Sequence, residues 1–415
     1  MKKIILYIFF ALPSYSISQD PKIISSKSWR KNFKKINHGQ LKKTLGYDPK
    51  LELIEDNNPK VISQGGPTLY IHGWLSSKNA TLVRNRCNDS SRIPGDVIIF
   101  NFPDASEWIN NSIPYYMPLN KSSFGQENEI RALLCIIKVL YDVGISIPIY
   151  YPHSRGGAVL KKVIGILNQP SQEWRMKLKT LNFTKQNRNA ILSSLKIVYF
   201  NAPLKNIHLM IKKNCENTLS FITYYLPCLK PFVSKNLTNF IEKRLFPIIT
   251  SFNPQDTREP IEYLNDWKGL NTTVVLHFQY PDYVVPNEDS IKCAKILLTL
   301  NSDKTYVIIG NDGDHGFGDI TIAKIIHALN KKLNCSYLEK TTLLDNGQTL
   351  LDANKPTLDT VEDHILSSNR ICSESDRNKT SSTHSKISLY TVAAALGIFY
   401  YFNKNNRSAT TISHI

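Results

Sequence analysis

The sequence lacks the residue groupings that hold metals or redox dithiols. Its seven cysteines include no Cys-x-x-Cys pair, and none is grouped with histidine at the spacing of a metal site. This pattern argues against a zinc site and against a redox dithiol. Cys135 falls in a mostly apolar run and is expected in the core, whereas Cys215 and Cys228 are close enough in sequence to form a disulfide if the chain is exported.

Acidic residues are too few to balance the basic ones, and the formal net charge is +17. Such a charge favours anionic partners, whether lipid headgroups, cell-wall polymers or nucleic acid. The sequence has no aromatic-interleaved RNA-binding signature and no zinc-finger spacing, so we expect no nucleic-acid partner. An anionic membrane surface stays open as a partner; the alternative is a lysine-rich and asparagine-rich surface without a specific role.

No uninterrupted apolar run reaches about 20 residues, the length that spans a bilayer as a helix. The first 18 residues instead resemble a signal peptide, because Lys2 and Lys3 precede an apolar run at 4–12 and small serines follow it. We therefore expect export.

A second, shorter apolar segment lies near the C-terminus, at 387–403, between Lys386 and Lys404. It favours a C-terminal transmembrane helix with the basic tail 404–415 on the cytoplasmic side. A buried or interfacial helix is the alternative. The predicted location is thus the membrane, through this anchor, or otherwise the secreted fraction.

Between these ends, the chain divides by composition. A basic N-terminal arm at 19–51 includes seven Lys or Arg and no acidic residue in 27–43, and it is expected on the surface. The segment 52–338 alternates short β-branched or aromatic runs with stretches of helical period, and 339–386 is a polar linker. Predicted strands are 68–71, 97–102, 147–151, 196–200, 273–278 and 305–309. This alternation predicts an α/β domain with a mostly parallel central sheet and helices on both faces.

Helical spacing predicts crossover helices at 126–143, 158–167 and 292–300, with Ser123 as a possible cap for the first. The stretch 204–260 breaks the alternation, since it is long, aromatic and interrupted by prolines. We interpret it as an inserted helical lid.

The segment that carries chemistry follows the strand 147–151. It reads Pro152-His153-Ser154-Arg155-Gly156-Gly157 and runs directly into the helix 158–167. A serine at such a sharp turn takes a strained backbone conformation, and small neighbours are needed because strand and helix approach closely there.

This strand, turn and helix resemble the nucleophile elbow Gly-x-Ser-x-Gly of the α/β-hydrolase family, and the resemblance extends over 67–329. It implies the α/β-hydrolase fold, with Ser154 as nucleophile and His153 in a structural role. Gly156 and Gly157 keep one side of the motif. Pro152 departs from it, because proline stands where the first glycine is usual, fixes its own φ and lacks an N–H. The elbow geometry on that side is therefore an open question for the structure.

A second element, His72-Gly73-Trp74, ends the strand 68–71 and resembles the family's oxyanion loop. Acyl transfer places negative charge on the carbonyl oxygen, and preorganised backbone N–H groups stabilise that charge. The resemblance implies that the amides of Trp74 and Arg155 are the donors. A simple strand-terminating turn is the alternative for His72 and Gly73.

A serine hydroxyl also needs a base and an acid that orients the base. Asp282 follows the strand 273–278, and His315 follows 305–309, which gives the family's chain order of Ser, Asp, His. Asp312 and Asp314 are alternative acids, but they share a turn with His315 and are poorly placed to reach its far ring nitrogen.

Together these features predict a serine hydrolase that cleaves a carboxylic ester, esterase-like or lipase-like, through an acyl-enzyme on Ser154. This mechanism requires no cofactor and no metal. The apolar lid suggests a small-molecule or lipid ester as substrate. Thioester hydrolysis, amide hydrolysis and acyl transfer use the same groups and stay open. A different class, a catalytically inactive binding domain on a membrane anchor, is kept open by Pro152.

Overall fold

The computed structural model describes residues 26–56, 66–204 and 250–310, apart from gaps at 75, 89–92, 94, 106, 110–112, 117–120, 254, 257, 280–284, 286 and 302–303, together with 207, 243, 247 and 349–350. The predicted signal peptide, most of the predicted lid, the linker apart from 349–350, and the C-terminal anchor lie outside these residues. None of the helices described is both long enough and apolar enough to span a membrane.

A sheet of eight strands organises the described part of the chain. Its strands are β1 (Glu52–Ile54), β2 (Thr68–Ile71), β3 (Val97–Ile99), β6 (Ile149–Pro152), β7 (Ile197–Asn201), β8 (Thr273–Gln279), β9 (Thr305–Gly310) and β10 (Thr349–Leu350). They lie in the order β1-β3-β2-β6-β7-β8-β9-β10. The pairs β1–β3 and β9–β10 are antiparallel and the others are parallel. A short hairpin, β4 (Glu107–Ile109) with β5 (Ile113–Tyr116), stands apart from this sheet.

Helices connect the strands. They are α1 (Ser26–Phe33), α2 (His38–Leu45), α3 (Thr81–Asn88), α4 (Glu127–Asp142), α5 (Arg155–Asn168), α6 (Gln172–Thr180), α7 (Lys185–Ser194) and α8 (Asn287–Asn301), with a 3₁₀ helix at Glu262–Trp267. A mostly parallel sheet with these crossovers confirms the predicted α/β fold class, and it is the architecture of the α/β-hydrolase fold.

Both faces of the sheet are buried, which explains why its strands are continuous apolar runs. In β2, Leu69 and Ile71 join the larger core cluster, which includes side chains of α4 and α5, whereas Tyr70 joins a second cluster with Val83 of α3. The predicted strands are confirmed to within one or two residues, apart from 97–102. That strand ends at Ile99, because the N–H of Asn101 donates to the carbonyl of Pro49 rather than to a sheet neighbour.

The predicted helices are also confirmed, although α5 and α8 start earlier than expected, at Arg155 and Asn287. The prediction that Ser123 caps α4 is wrong. The residue at the cap is Gln126, whose side chain makes no capping bond. Ser123 instead donates from its backbone N–H and its hydroxyl to the carboxylate of Glu129, which reaches back from the first turn of the helix.

The basic N-terminal stretch is only partly on the surface. Its lysines at 31, 34, 35, 42 and 43 are exposed, as predicted. Trp29 and Leu41, however, are 3% and 2% exposed and belong to the main core. The stretch therefore packs as part of the folded domain through the apolar sides of α1 and α2.

Three cysteines of the described residues, Cys87, Cys135 and Cys293, are buried and free. The prediction that Cys135 is a core residue is confirmed. Cys215 and Cys228 lie outside the described residues.

Candidate active site

Ser154 lies between the end of β6 and the start of α5, in a backbone conformation that is rare for a side-chain-bearing residue. Its φ is 51° and its ψ is −119°. Such a conformation costs on the order of 1–3 kcal/mol and persists only where the surroundings enforce it. Here the Ser154 N–H donates to the carbonyl of Asn201 over 2.9 Å, and the His153 N–H donates to that of Ile71 over 2.9 Å. The two strands beside β6 thus hold the turn in place.

Pro152 is compatible with this geometry. It is buried as the last residue of β6 and stands opposite Ile71 of β2 in the parallel register. Although proline supplies no N–H, the next two residues resume the bonding, His153 toward β2 and Ser154 toward β7. The departure from the usual glycine therefore leaves the elbow conformation intact.

Close packing explains why the two positions after Arg155 are glycines. A Cβ on Gly156 would lie 2.4 Å from the Ile71 carbonyl oxygen, and one on Gly157 would lie 3.0 Å from Cβ of Pro203. Helix α5 can therefore begin this close to β2 only because position 156 has no side chain.

The predicted oxyanion loop lies against the serine. A Cβ on Gly73 would be 3.2 Å from Cβ of Ser154 and 3.1 Å from Nδ1 of His153. Trp74 follows, partly buried, with its ring centroid 4.7 Å from that of Phe124. The backbone at 73–74 and the nucleophile candidate thus share one end of the sheet.

His72 is buried beneath this loop and bonds through both ring nitrogens. Its Nε2 accepts from the Phe102 N–H over 3.2 Å, so its proton is on Nδ1, which donates to the Gly73 carbonyl over 2.8 Å. Burial, and then the nearby charge of Arg155, lowers the pKa of His72 to about 4. A neutral imidazole that makes two hydrogen bonds is consistent with the supporting role predicted for His72.

The side chain of Arg155 has a role that sequence reasoning missed, since only its backbone amide was considered. The side chain is 2% exposed and forms ion pairs with the carboxylates of Asp104 and Glu129. Burial raises the pKa of Glu129 to about 7. Burial also opposes ionisation of Asp104, but the charge and hydrogen bond of Arg155 outweigh it, so the pKa of Asp104 lies below its ordinary value.

One signal could have identified Glu129. It lies four residues before Leu133 and eight before Ile137, on the buried stripe of α4. A carboxylate on an otherwise apolar helix face requires a buried partner. Asp104 carries no comparable signal, because it follows a strand in a turn.

Asp282 and His315 lie outside the described residues, so their distances to Ser154 stay untested. Asp282 follows the last residue of β8, Gln279, by three positions, and His315 follows the last residue of β9, Gly310, by five. Strands β6 to β9 are parallel, and their carboxyl ends meet at one edge of the sheet. Strands β8 and β9 therefore end at the edge of the sheet that presents Ser154.

Metal ligation has no support in the described part of the chain, where no group of three or more His, Cys, Asp or Glu is placed to hold an ion.

Comparison with known proteins finds distant similarity to solved structures. No family model and no curated protein matches the sequence. Similar solved structures include an esterase from Pyrococcus furiosus, at 15% identity over 71% of this chain and 91% of that one, with a TM-score of 0.38. A carboxylesterase from Lactobacillus plantarum matches at 11% identity over 70% and 94%, with a TM-score of 0.41. Mouse alpha/beta hydrolase domain-containing protein 10 matches at 13% over 68% and 93%, with a TM-score of 0.37. The fold assignment rests on strand order and on the turn at Ser154 rather than on these scores.

Proposed function

On this α/β-hydrolase fold, we propose that the protein is a serine hydrolase that cleaves carboxylic esters through an acyl-enzyme on Ser154. The observation that carries the proposal is the strained backbone of Ser154, held between a central parallel strand and the first turn of a buried helix. The surrounding fold offsets the cost of such strain, and residues strained in this way are concentrated at functional sites.

The proposed chemistry has two stages. His315 takes the proton of the Ser154 hydroxyl as its oxygen attacks the ester carbonyl, while Asp282 orients the imidazole. His315 then returns the proton to the departing alcohol, and the acyl group stays on Ser154 until a water activated by His315 releases it.

The amides of Trp74 and Arg155 are the proposed donors to the oxyanion. The Arg155 N–H belongs to the first turn of α5, where helix amides have no acceptor within the helix. The positive end of the helix dipole favours negative charge at the same place.

The proposed substrate is an ester with an apolar acyl group, suggested by the apolar composition of the lid segment. The charge of +17 is consistent with a substrate presented at an anionic membrane surface. We also propose export and a C-terminal membrane anchor. Fractionation of cells that produce the full chain tests this: carbonate washing should leave it in the membrane fraction, and deletion of 387–415 should release it.

Reactivity of Ser154 is the central test. The full-length protein is exposed to a fluorophosphonate probe and to short-chain and long-chain p-nitrophenyl esters. Ser154→Ala and His315→Ala should abolish labelling, and Asp282→Asn should lower kcat by roughly 10³-fold or more.

Asp314→Asn is the matched control for the acid and should keep near-wild-type kcat. If Asp314→Asn lowers kcat while Asp282→Asn does not, the assignment of the acid is wrong. If the folded wild type neither labels nor hydrolyses any ester, a binding domain without catalysis replaces the proposal.

A further inference from the structure

The carbonyl of Gly73 is held from the protein interior by two side chains. Nδ1 of His72 donates to it over 2.8 Å, and Nη2 of Arg155 lies 3.5 Å from it, at the outer limit of a hydrogen bond. In a trans peptide, the C=O of one residue and the N–H of the next point in opposite directions. Fixing the Gly73 carbonyl therefore also fixes the direction of the Trp74 N–H, away from Arg155 and His72.

We infer that the side chain of Arg155 is a positioning residue that aims the Trp74 N–H at the developing oxyanion, by holding the Gly73 carbonyl together with His72. The inference rests on the proposed function, since it concerns the same reaction. Arg155 then acts through two groups. Its backbone amide donates to the oxyanion, and its guanidinium orients the Trp74 N–H, which is the other donor.

The guanidinium is itself firmly anchored. It bonds Asp104, lies 3.2 Å from Glu129 and 3.5 Å from the Ser122 hydroxyl, and its Cζ lies 5.1 Å from the ring centroid of Phe102. These partners come from the loop after β3, from helix α4 and from the segment before it. The Arg155 side chain thereby connects these segments, which surround the oxyanion loop, to the start of α5.

The charge of Arg155 has a second effect on the same peptide. Together with burial, it disfavours protonation of His72. A protonated imidazole would carry a hydrogen on Nε2 and could not accept the Phe102 N–H. Arg155 thus helps to keep the imidazole neutral, so that Nε2 accepts from Phe102 while Nδ1 donates to Gly73.

A purely structural role is a poor explanation for this cluster. Burying charged groups is costly, and well-packed apolar residues are often as stable in such a position. The cluster also lies where small displacements affect chemistry, since a Cβ on Gly73 would be 3.2 Å from Cβ of Ser154. Loss of alignment there weakens transition-state stabilisation more than substrate binding.

The test measures kcat, KM and the unfolding free energy of the full-length protein with p-nitrophenyl esters. Arg155→Met should lower kcat about ten- to a hundredfold, and KM should change by less than about threefold. The expected loss of kcat is no larger than the loss caused by removing one oxyanion donor. Arg155→Lys should recover part of kcat, because an ammonium keeps the charge but lacks the fork that reaches several acceptors.

The matched control is Arg86→Met, which removes another buried guanidinium, on α3, where its Nη1 lies 3.5 Å from the Tyr70 hydroxyl. It should lose stability yet keep wild-type kcat. If Arg155→Met does not fold, Arg155→Lys decides: a several-fold lower kcat at constant KM supports the inference, and wild-type kcat overturns it.

The two proposals fail differently. A wild type that is folded but inactive overturns the proposed function and this inference with it. An active wild type, silenced by Ser154→Ala but with unchanged kcat in Arg155→Met, overturns the inference alone.

Discussion

Gly156 touches the backbone of Ile71: a Cβ at position 156 would lie 2.4 Å from the Ile71 carbonyl oxygen and 2.9 Å from that of His72. The start of α5 is thus set against the end of β2 with no room for a methyl group. Ser154 lies two residues before Gly156, and the predicted oxyanion loop begins directly after Ile71. The contact between Gly156 and Ile71 therefore fixes the spacing between these two parts of the candidate site.

Gly156→Ala should therefore be strongly destabilising, by about 2 kcal/mol or more, because backbone atoms rather than a flexible side chain oppose the new Cβ. Urea unfolding measures the effect. Gly39→Ala is the matched control on α2, where the nearest atom, Oδ1 of the capping residue Asn37, is 3.4 Å away at ordinary van der Waals distance, and it should be neutral or stabilising. Equal stabilities for the two variants would contradict the steric argument.

The backbone of Ser154 gives a second prediction. Its φ of 51° with ψ of −119° suits glycine, so Ser154→Gly should be more stable than Ser154→Ala by about 1 kcal/mol. Neither variant should react with a fluorophosphonate. Thermal and urea unfolding of the two proteins make the comparison. A glycine variant less stable than the alanine variant would show that the serine backbone is unstrained.

Acid stability follows from three buried groups. Burial lowers the pKa of His72 and of His277 to about 4, and it raises that of Glu129 to about 7. Between about pH 4.5 and 6.5, unfolding lets both histidines take up a proton while Glu129 loses one. The unfolded chain binds more protons, so stability falls as pH falls, by about 1.4 kcal/mol per pH unit for the net proton.

Two variants separate these contributions in urea titrations across that pH range. His277→Gln keeps a polar partner for the Tyr199 hydroxyl, which lies 2.8 Å from Nδ1 of His277, and it should make the slope nearly flat. Glu129→Gln should roughly double the slope. A wild-type slope of opposite sign, with stability rising toward pH 4.5, would refute this assignment.

Asp96 is the attachment point of the N-terminal helices. Its carboxylate is buried and accepts hydrogen bonds from Trp29 Nε1 at 2.7 Å, Arg30 Nε at 2.8 Å and the Asp56 N–H at 2.9 Å. Asp96→Ala should cost about 2–4 kcal/mol, because it leaves several buried donors without an acceptor. It should also expose α1 to protease.

Asp142→Ala provides the comparison for this acid, since its pair with Lys138 is at the surface, where Asp142 is 51% exposed. It should change stability by less than about 0.5 kcal/mol. Similar losses in the two aspartate variants would mean that α1 is not held through Asp96.

The sheet and the elbow could be predicted from sequence because their signals are local. Strands buried on both faces give continuous apolar runs, and the elbow is a strand, a serine, glycines and a helix in direct succession. Gly156 and Gly157 are informative because glycine at these two positions is itself the sequence signal that helix α5 packs closely against the neighbouring backbone.

The buried ionic cluster could not be predicted, because its partners are distant in sequence. Arg155 meets Asp104 across 51 positions and Glu129 across 26. The docking of the N-terminal helices depends on a similar long-range pair, Trp29 with Asp96, across 67 positions. The stretch 27–43 appeared only basic, because a few buried apolar residues among many lysines give a weak signal.

For the proposed nucleophile, the pairing of Ser154 with its neighbours also bears on when the chain would become reactive during its own maturation. The turn is restrained on one side by a strand synthesised long before it and on the other by a strand synthesised later. A nascent or partly assembled chain that lacks either neighbour has no means of imposing the unfavourable torsion angles, so its hydroxyl is an ordinary alcohol. Probe labelling at this serine would then serve as a reporter of completed tertiary assembly, and newly made chains would be protected from premature acylation.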